Sequence, residues 1–366
     1  MRAYKFRIYP SKRQEKLLNI HLCLAKNLWN ELLAHCKETY NDFGYFPTRN
    51  TLQLMVKDYG LYSQTQQEIA HRVHNSVIRV FKLKKKGIKC GFPRFKSIDR
   101  MKSLQYPQFG FSLDNKLNVT PFGEISIKKH REIKGKIKTL TLKRMSSGKW
   151  FAIFCVEQEK IAKKVEMKSV IGIDMGIKHF LTDSKGIQVE NPEFYEKILG
   201  RMKIEQKRLS NKNKDSKNFK KQKVKLAKSY EKLVDKRNDL LHKLSNFYAN
   251  NYDVICIENL DIRNMVKNHS LAQKILDASW GKFIKMLSYK AENAGRMLIR
   301  VDPRGTSKEY KFGELDKDYN ASLNILERGL VGLGRPFESV EMRPLQELVK
   351  VPASLVVEAG NLSIDR

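Results

Sequence analysis

The sequence has no Cys-x-x-Cys pair, no long apolar run and few acidic residues for the number of basic ones. Its five cysteines, Cys23, Cys36, Cys90, Cys155 and Cys256, are scattered. That spacing argues against a disulfide scaffold and a zinc ribbon, and suits a reducing cytoplasm. No stretch approaches the roughly 20 apolar residues of a spanning helix. No secretory leader opens the chain, so a membrane partner is not expected. Acid is the scarcest resource: 39 Asp and Glu stand against 71 Lys and Arg in 366 residues, a net charge of +32. Solubility needs far less, so the excess points to a polyanionic partner. The length allows two or three domains with buried cores.

Where acids occur, three stand out by context. Val170-Ile171-Gly172-Ile173-Asp174 reads as a short apolar strand that delivers a carboxylate at its end. Gly176 lets the backbone turn, a second strand is expected over Ile177 to Leu181, and Asp183-Ser184-Lys185-Gly186 turns the chain into a third over Ile187 to Val189. Val254-Ile255-Cys256-Ile257-Glu258 repeats the pattern of a β-branched and apolar run ending in an acid. Asp316-Lys317-Asp318-Tyr319-Asn320 opens an amphipathic helix whose Ala321, Leu323, Ile325 and Leu326 suit a core face. Taken singly, Asp174 reads as a turn-capping residue, Glu258 as a surface strand end and Asp318 as an N-cap. Taken together they describe a different object. Strand, hairpin, long insertion, strand, helix (Trp280 to Ala294), strand (Met297 to Val301) and a helix bearing an acid is the element order of a ribonuclease-H-like α/β nuclease core.

Upstream, a strand over Tyr4 to Tyr9 ends at Pro10, and Ser11-x-x-Gln14 is a capping box that starts a helix through Leu17, Leu18 and His21. A second helix is expected from Leu24 to about Tyr40, with Leu28, Leu32 and His35 or Cys36 on one stripe, and a third from Gln64 to Lys84 with Ile69, Val73, Val77, Val80 and Phe81 inward. Gly91-Phe92-Pro93-Arg94-Phe95-Lys96 interleaves basic and aromatic residues. That mixing suits bases stacked on rings and phosphates held by charge, or equally a solvated linker with buried rings. From about Leu104 to Glu157 the pattern has period two, with turns at Pro107-Gln108, Asp114-Asn115, Pro121-Phe122-Gly123 and Ser146-Ser147-Gly148, as in a small barrel-like sheet. Residues 197–243 are the most basic run. Helical spacing of Leu226, Tyr230, Leu233, Leu240, Leu241 and Leu244 around a polar loop near Asn211 to Asn218 predicts a helical hairpin. A charge run is usually a solvated face, but one as lopsided as this calls for phosphates, and Lys220, Lys221, Lys223 and Lys225 are its candidate contacts.

The segments Gly172-Ile173-Asp174-Met175-Gly176-Ile177-Lys178, Ile257-Glu258-Asn259-Leu260, Ser279-Trp280 through Glu292, and Asp316-Lys317-Asp318-Tyr319-Asn320-Ala321-Ser322 resemble the three RuvC motifs of the TnpB family, transposon-encoded RNA-guided DNA nucleases related to type V CRISPR effectors. The likeness extends to Tyr4-Lys5-Phe6-Arg7-Ile8-Tyr9-Pro10 and to Gly91 through Ser97, so it covers roughly residues 1–330. It implies an α+β multidomain chain: a β-barrel-like wedge domain (1–10 and 97–165) with an inserted helical recognition lobe (11–96), a RuvC-like nuclease domain (166–330) carrying the basic hairpin at 195–248, and a loosely ordered tail (331–366). It implies Asp174, Glu258 and Asp318 as catalytic ligands of two Mg²⁺ ions about 4 Å apart, with Mn²⁺ an alternative, and Asn320 as their support without direct ligation. Asp316 would be a neighbour that does not ligate.

Lys5, Arg7, Arg94 and Lys96 join the hairpin lysines as expected nucleic-acid contacts. The implied partners are a guide RNA and double-stranded target DNA cut beside a short flanking motif, with the protein a monomer in a cytoplasmic, nucleoid-associated ribonucleoprotein. A nuclease-inactive, RNA-guided DNA-binding repressor would share the basic surface; such relatives lose one or more acids, and this chain keeps all three. The departure from the family lies after Thr306, where typical members carry a four-cysteine ribbon and this chain runs directly to Asp316. No structural zinc is expected.

Overall fold

A computed structural model describes residues 1–56, 59–158, 168–307, 315–334 and 348–353, the side chain of residue 195 apart. The chain forms two compact units, Met1–Glu159 and Lys160–Arg366. Among the described residues no helix is long and apolar enough to cross a membrane.

The first unit opens with β1 (Arg2–Tyr9), followed by α1 (Lys12–Phe43), α2 (Arg49–Leu54) and α3 (Ser63–Lys85), then six strands: β2 (Ser103–Tyr106), β3 (Phe111–Leu113), β4 (Leu117–Val119), β5 (Gly123–Lys128), β6 (Lys136–Arg144) and β7 (Trp150–Glu157). The sheet runs β2-β6-β7-β1-β5-β4-β3, so the first strand sits at its centre although three helices separate it from the rest. It is a nearly closed, barrel-like sheet. Phe6 and Phe111 both pack at a tilt against Phe154, and the Tyr106 hydroxyl at the end of β2 donates to Thr120 O just after β4 (2.9 Å). Helices and sheet share one hydrophobic core that takes in Leu18, Leu28 and Val73 as well as Phe6, Leu140 and Phe154.

Ser11 caps α1 as the sequence predicts, its hydroxyl accepting from Gln14 N while the Gln14 side chain accepts from Ser11 N. The two helices expected over residues 11–40 are, however, one. Nothing between His21 and Leu24 breaks a helix, and burial of His21, Leu22 and Ala25 continues the inward stripe across the expected gap.

The second unit contains β8 (Val170–Asp174), β9 (His179–Asp183), β10 (Ile187–Glu190), α4 (Phe194–Ser210), α5 (Lys217–Asn251), β11 (Val254–Glu258), α6 (Ile262–Met265), α7 (His269–Ala278), α8 (Trp280–Ala294), β12 (Met297–Val301), α9 (Lys317–Val331) and β13 (Val349–Val351). Its sheet is ordered β12-β11-β8-β9-β10-β13, with β12, β11 and β8 parallel and β9 antiparallel to β8. Parallel strands are covered on both faces, which is why β11 is buried at every position and reads as a continuous apolar run rather than an alternation. Asp253 fastens the start of this ladder: its carboxylate accepts from the Lys168 and Ser169 backbone N–H groups and pairs with Arg296.

Four details depart from the sequence reading. β9 begins at His179 rather than Ile177, because Ile177 and Lys178 are used up completing the turn after Gly176. Asp183 ends that strand, and its buried carboxylate accepts from Lys185 N, Ile187 N and the Tyr248 hydroxyl, locking hairpin to α5. α9 is not amphipathic over its first half: Tyr319 through Leu326 are all buried. The tail is not uniformly loose, since Val349–Val351 adds a strand parallel to β10 and buries Val351 and Ala353 in the core. Three residues are too few to show a period, so pairing with β10 supplied the order that sequence pattern could not. Residues 335–347 and 354–366, and the 308–314 stretch where a ribbon would lie, fall outside the described residues.

Candidate functional site

Asp174, Glu258 and Asp318 come from three separate elements. Asp174 is the last residue of β8 and Glu258 the last of the neighbouring parallel strand β11, so both leave the sheet at the same edge. Asp318 lies in the first turn of α9, whose N-cap is Asp316; the Asp316 carboxylate accepts from Asp318 N and Tyr319 N and is itself held by Gln188 Nε2 at 3.0 Å. Asp316 is thus committed to capping, and the chain is free to present Asp318.

Two glycines bring α9 down onto the sheet. A Cβ on Gly172 would meet Ser322 O at 2.2 Å, and one on Gly329 would meet Cys256 Sγ at 2.2 Å. Neither position has room for a side chain, so helix and strands approach at backbone distance. At Gly176, in the turn beyond Asp174, a Cβ would stand 3.8 Å from Asp318 Oδ2.

The electrostatics show that Asp174 feels the other two acids. Burial, then Glu258 and then Asp318, push the Asp174 carboxyl up to about 8 from its ordinary 3.8. Burial raises Glu258, partly offset by the hydrogen bond donated by Thr306 Oγ1 and by Arg328. Burial and then Asp316 raise Asp318 against the opposing pull of His179, Lys178 and Lys317. The neighbouring cations therefore leave the balance upward at all three. Among the described residues no three His, Cys, Asp or Glu side chains stand close enough to hold one ion between them. A two-ion centre does not require that, because each ion takes only part of the carboxylate set. Hard oxygen donors crowded into a buried, under-compensated negative site are the donor chemistry that divalent cations such as Mg²⁺ fit.

Asn320 is fully buried in the same turn of α9. Thr306 and His179 were not singled out from sequence. His179 stands next to the quoted Gly176-Ile177-Lys178 motif, and Thr306 follows Asp302-Pro303-Arg304-Gly305, a turn sequence whose Asp302 carboxylate accepts from Arg304 N.

The expected nucleic-acid contacts are spread over both units. Lys220, Lys221, Lys223 and Lys225 are exposed on α5, and Lys221, Lys225, Lys228, Lys232 and Lys236 form an exposed stripe at helical spacing. At 1.5 Å per residue that stripe is about 22 Å long. In the first unit, Arg94 is exposed. The Lys5 amine lies over the Phe151 ring at 4.0 Å, and Arg7 lies beside the same ring and donates to Trp150 O. Lys96 differs from Arg94: its amine sits 3.0 Å from the centre of the Trp29 ring, and burial followed by Arg72 lowers its pKa to about 8.

Three family descriptions match the chain: "Probable transposase" over residues 153–269, "Helix-turn-helix domain" over 1–44 and "Cas12f1-like, TNB domain" over 280–325. A Streptomyces pristinaespiralis protein named "Putative RNA-guided DNA endonuclease" is 28% identical, the alignment covering 90% of this chain and 89% of the relative. An Escherichia coli K12 protein, "Putative RNA-guided DNA endonuclease InsQ", is 25% identical over 85% of this chain and 83% of its own. These matches agree with the likeness to the TnpB family read from the motifs. The Cas12f1 chain of a Cas12f1–sgRNA–target DNA complex shares the fold of this chain, with a TM-score of 0.55 at 14% identity over 88% of this chain and 98% of that one.

Proposed function

We propose that this chain is an RNA-guided DNA endonuclease, and that Asp174, Glu258 and Asp318 bind two divalent cations, Mg²⁺ or Mn²⁺, for phosphodiester hydrolysis. The observation that carries the reading is the convergence of three carboxylates from β8, β11 and α9 on one buried place where each is pushed toward its neutral form. A site built for its own stability would not keep three such acids together, because burying like charges without partners is unfavourable.

Bound there, the cations would supply positive charge for the phosphoryl oxygens and lower the pKa of the attacking water. The protein's own part is orientation. Thr306 holds one oxygen of Glu258, the Asp316 cap fixes the turn that carries Asp318, and Gly172 lets α9 approach closely enough for Asp318 to face Asp174. The exposed lysines of α5, with Lys5, Arg7 and Arg94, are assigned to phosphates. Sequence choice is then left to a guide RNA paired with double-stranded target DNA next to a short flanking motif, and the relatives' names agree with that division.

The test begins with sequencing RNA that copurifies with the protein. Cleavage of a matched duplex should then require Mg²⁺ and stop in EDTA, and Asp174→Ala should bind guide and target but not cut. Full cutting by Asp174→Ala would remove that residue from the site. An RNA-guided protein that binds its target but never cuts, with metal present, would favour the repressor reading.

A further inference from the structure

At the end of α1 three aromatic rings face solvent on a rigid base. Gly44 closes the helix with φ 72°, its N–H donating to Tyr40 O, and this left-handed turn sets Phe43 and Tyr45 side by side. Their ring centres are 5.9 Å apart and the residues are 68% and 61% exposed, with Tyr40 at 42%. On the same helix end Tyr40 stacks flat on Phe46 at 4.4 Å, and Phe46 packs on Phe81 and Phe92 at 4.7 and 6.1 Å. Tyr40 therefore rests on inner rings drawn from the end of α3 and the loop after it, while Phe43 and Tyr45 contact each other.

Exposed large aromatics this close together need an occupant, and the charge around them says which kind. From Ile69 to Ile98 the sequence holds nine Lys or Arg and no Asp or Glu. Lys82, Lys84, Lys85, Lys86, Lys89 and Arg94 are exposed, and none is in an ion pair among the described residues. Phe81, the ring that supports the cluster, lies within this run. Glu38 and Asp42 on α1 are too few to neutralise it. A second copy of the chain would bring the same positive surface against itself, and juxtaposed like charges oppose association. Aromatic faces bordered by unpaired cations instead match unpaired nucleotides, whose bases stack while their phosphates meet the lysines.

We infer that Phe43 and Tyr45, on the helix end anchored by Tyr40 and Phe46, form a stacking platform for unpaired nucleotides of the bound RNA. Choosing RNA rests on the RNA-guided reading above: a guide has unpaired segments before any target arrives, whereas target DNA is paired until opened. Duplex bases are stacked on one another and offer the rings nothing to hold.

The test uses the full chain in EDTA with no target DNA, so its outcome does not depend on the acidic site. Affinities are measured by fluorescence anisotropy for an unstructured RNA, the DNA strand of equal sequence, and the RNA duplex. Phe43→Ala/Tyr45→Ala should weaken binding of the single-stranded RNA about ten-fold or more, as expected for losing base stacking. It should leave the slope of log K against log salt and the duplex affinity unchanged, and Phe43→Trp/Tyr45→Trp should restore binding. Unchanged RNA affinity, or an equal loss for the duplex, would overturn the platform. A larger loss for the DNA strand than for the RNA would overturn the choice of RNA. A wild-type dimer that the double variant converts to monomer would assign the rings to a second copy.

Discussion

Replacing Asp174 with Asn should stabilise the metal-free protein while abolishing its cleavage. Burial and the two neighbouring acids push the Asp174 carboxyl from 3.8 to about 8. Between those values the folded chain retains a proton that the unfolded chain has released. More protons are bound in the native state, so stability falls as pH rises through this window. At pH 7 the unfolded carboxyl has passed about 3 pH units beyond its ordinary pKa, which at ~1.4 kcal/mol per unit leaves the fold about 4 kcal/mol worse off. Water reaching the site raises the effective dielectric and lowers that figure, so about 2 kcal/mol is the working expectation. Asn has the same shape and does not titrate. The variant should therefore melt higher than wild type at pH 7 to 8, by ~4–8 °C for a domain of about 200 residues. The difference should shrink as the pH falls toward 4 and vanish below the ordinary 3.8, where both side chains are neutral in both states. Divalent cation should act oppositely, raising the wild-type melting temperature at pH 7 and leaving the variant nearly unmoved. Melting curves in EDTA and in Mg²⁺ from pH 4 to 8, beside a cleavage assay, make the measurement. A variant that melts no higher than wild type at pH 7 in EDTA would refute the claim that burial and the neighbouring acids oppose ionisation of Asp174.

Exchanging Lys220, Lys221, Lys223 and Lys225 for Gln should weaken binding of matched and scrambled targets alike and flatten the salt dependence by about one log unit per phosphate contact removed; an unchanged slope would make the α5 run a solvated face. Gly329→Ala should destabilise by ~1–3 kcal/mol despite alanine's better helix propensity, because its Cβ meets Cys256 Sγ, and Cys256→Ala in the same chain should recover part of the loss, the Cys256 Cβ staying 2.9 Å away. Denaturant titration of the single and double variants reads this directly, and additive losses would contradict it. Elemental analysis of the purified protein should find no stoichiometric zinc, since the five cysteines have no ribbon spacing; one zinc per chain would show that a ligand set was missed.

The candidate site was legible because its strands are unusual in sequence. Val254 to Glu258 is apolar throughout and then acidic, a pattern that a strand buried on both faces must have and a half-exposed one would not. The hairpin of α4 and α5 was legible from spacing, with its polar loop in place. What escaped the sequence depends on contacts across long separations. Thr306 matters through Glu258, 48 residues earlier. The Val349–Val351 strand owes its order to β10. The continuity of α1 was hidden by dividing an apolar stripe where no breaker stands. The polar residues of α9, Asn320, Ser322 and Asn324, made it read as two-faced, yet all three are buried.

That burial and the two glycines have one physical origin. A helix that meets a sheet through ordinary side chains keeps a layer of them between the backbones. α9 gives up that layer at Gly172 and Gly329, and sinks until Ser322 O and the Cys256 side chain occupy the space a methyl group would need. Sinking buries its polar residues as well, so Ser322 turns its hydroxyl back to Tyr319 O and Asn324 donates to Thr306 O. The second of these bonds fixes the loop that carries Thr306, whose hydroxyl in turn holds Glu258. The N-terminal end of the helix, where unsatisfied N–H groups favour negative charge, then arrives beside Asp174 with Asp318 in its first turn. Depth of docking, carboxylate orientation and charge placement are thus one structural choice. Gly172→Ala should for that reason depress cleavage by displacing Asp318, while guide RNA binding on other surfaces stays near wild type.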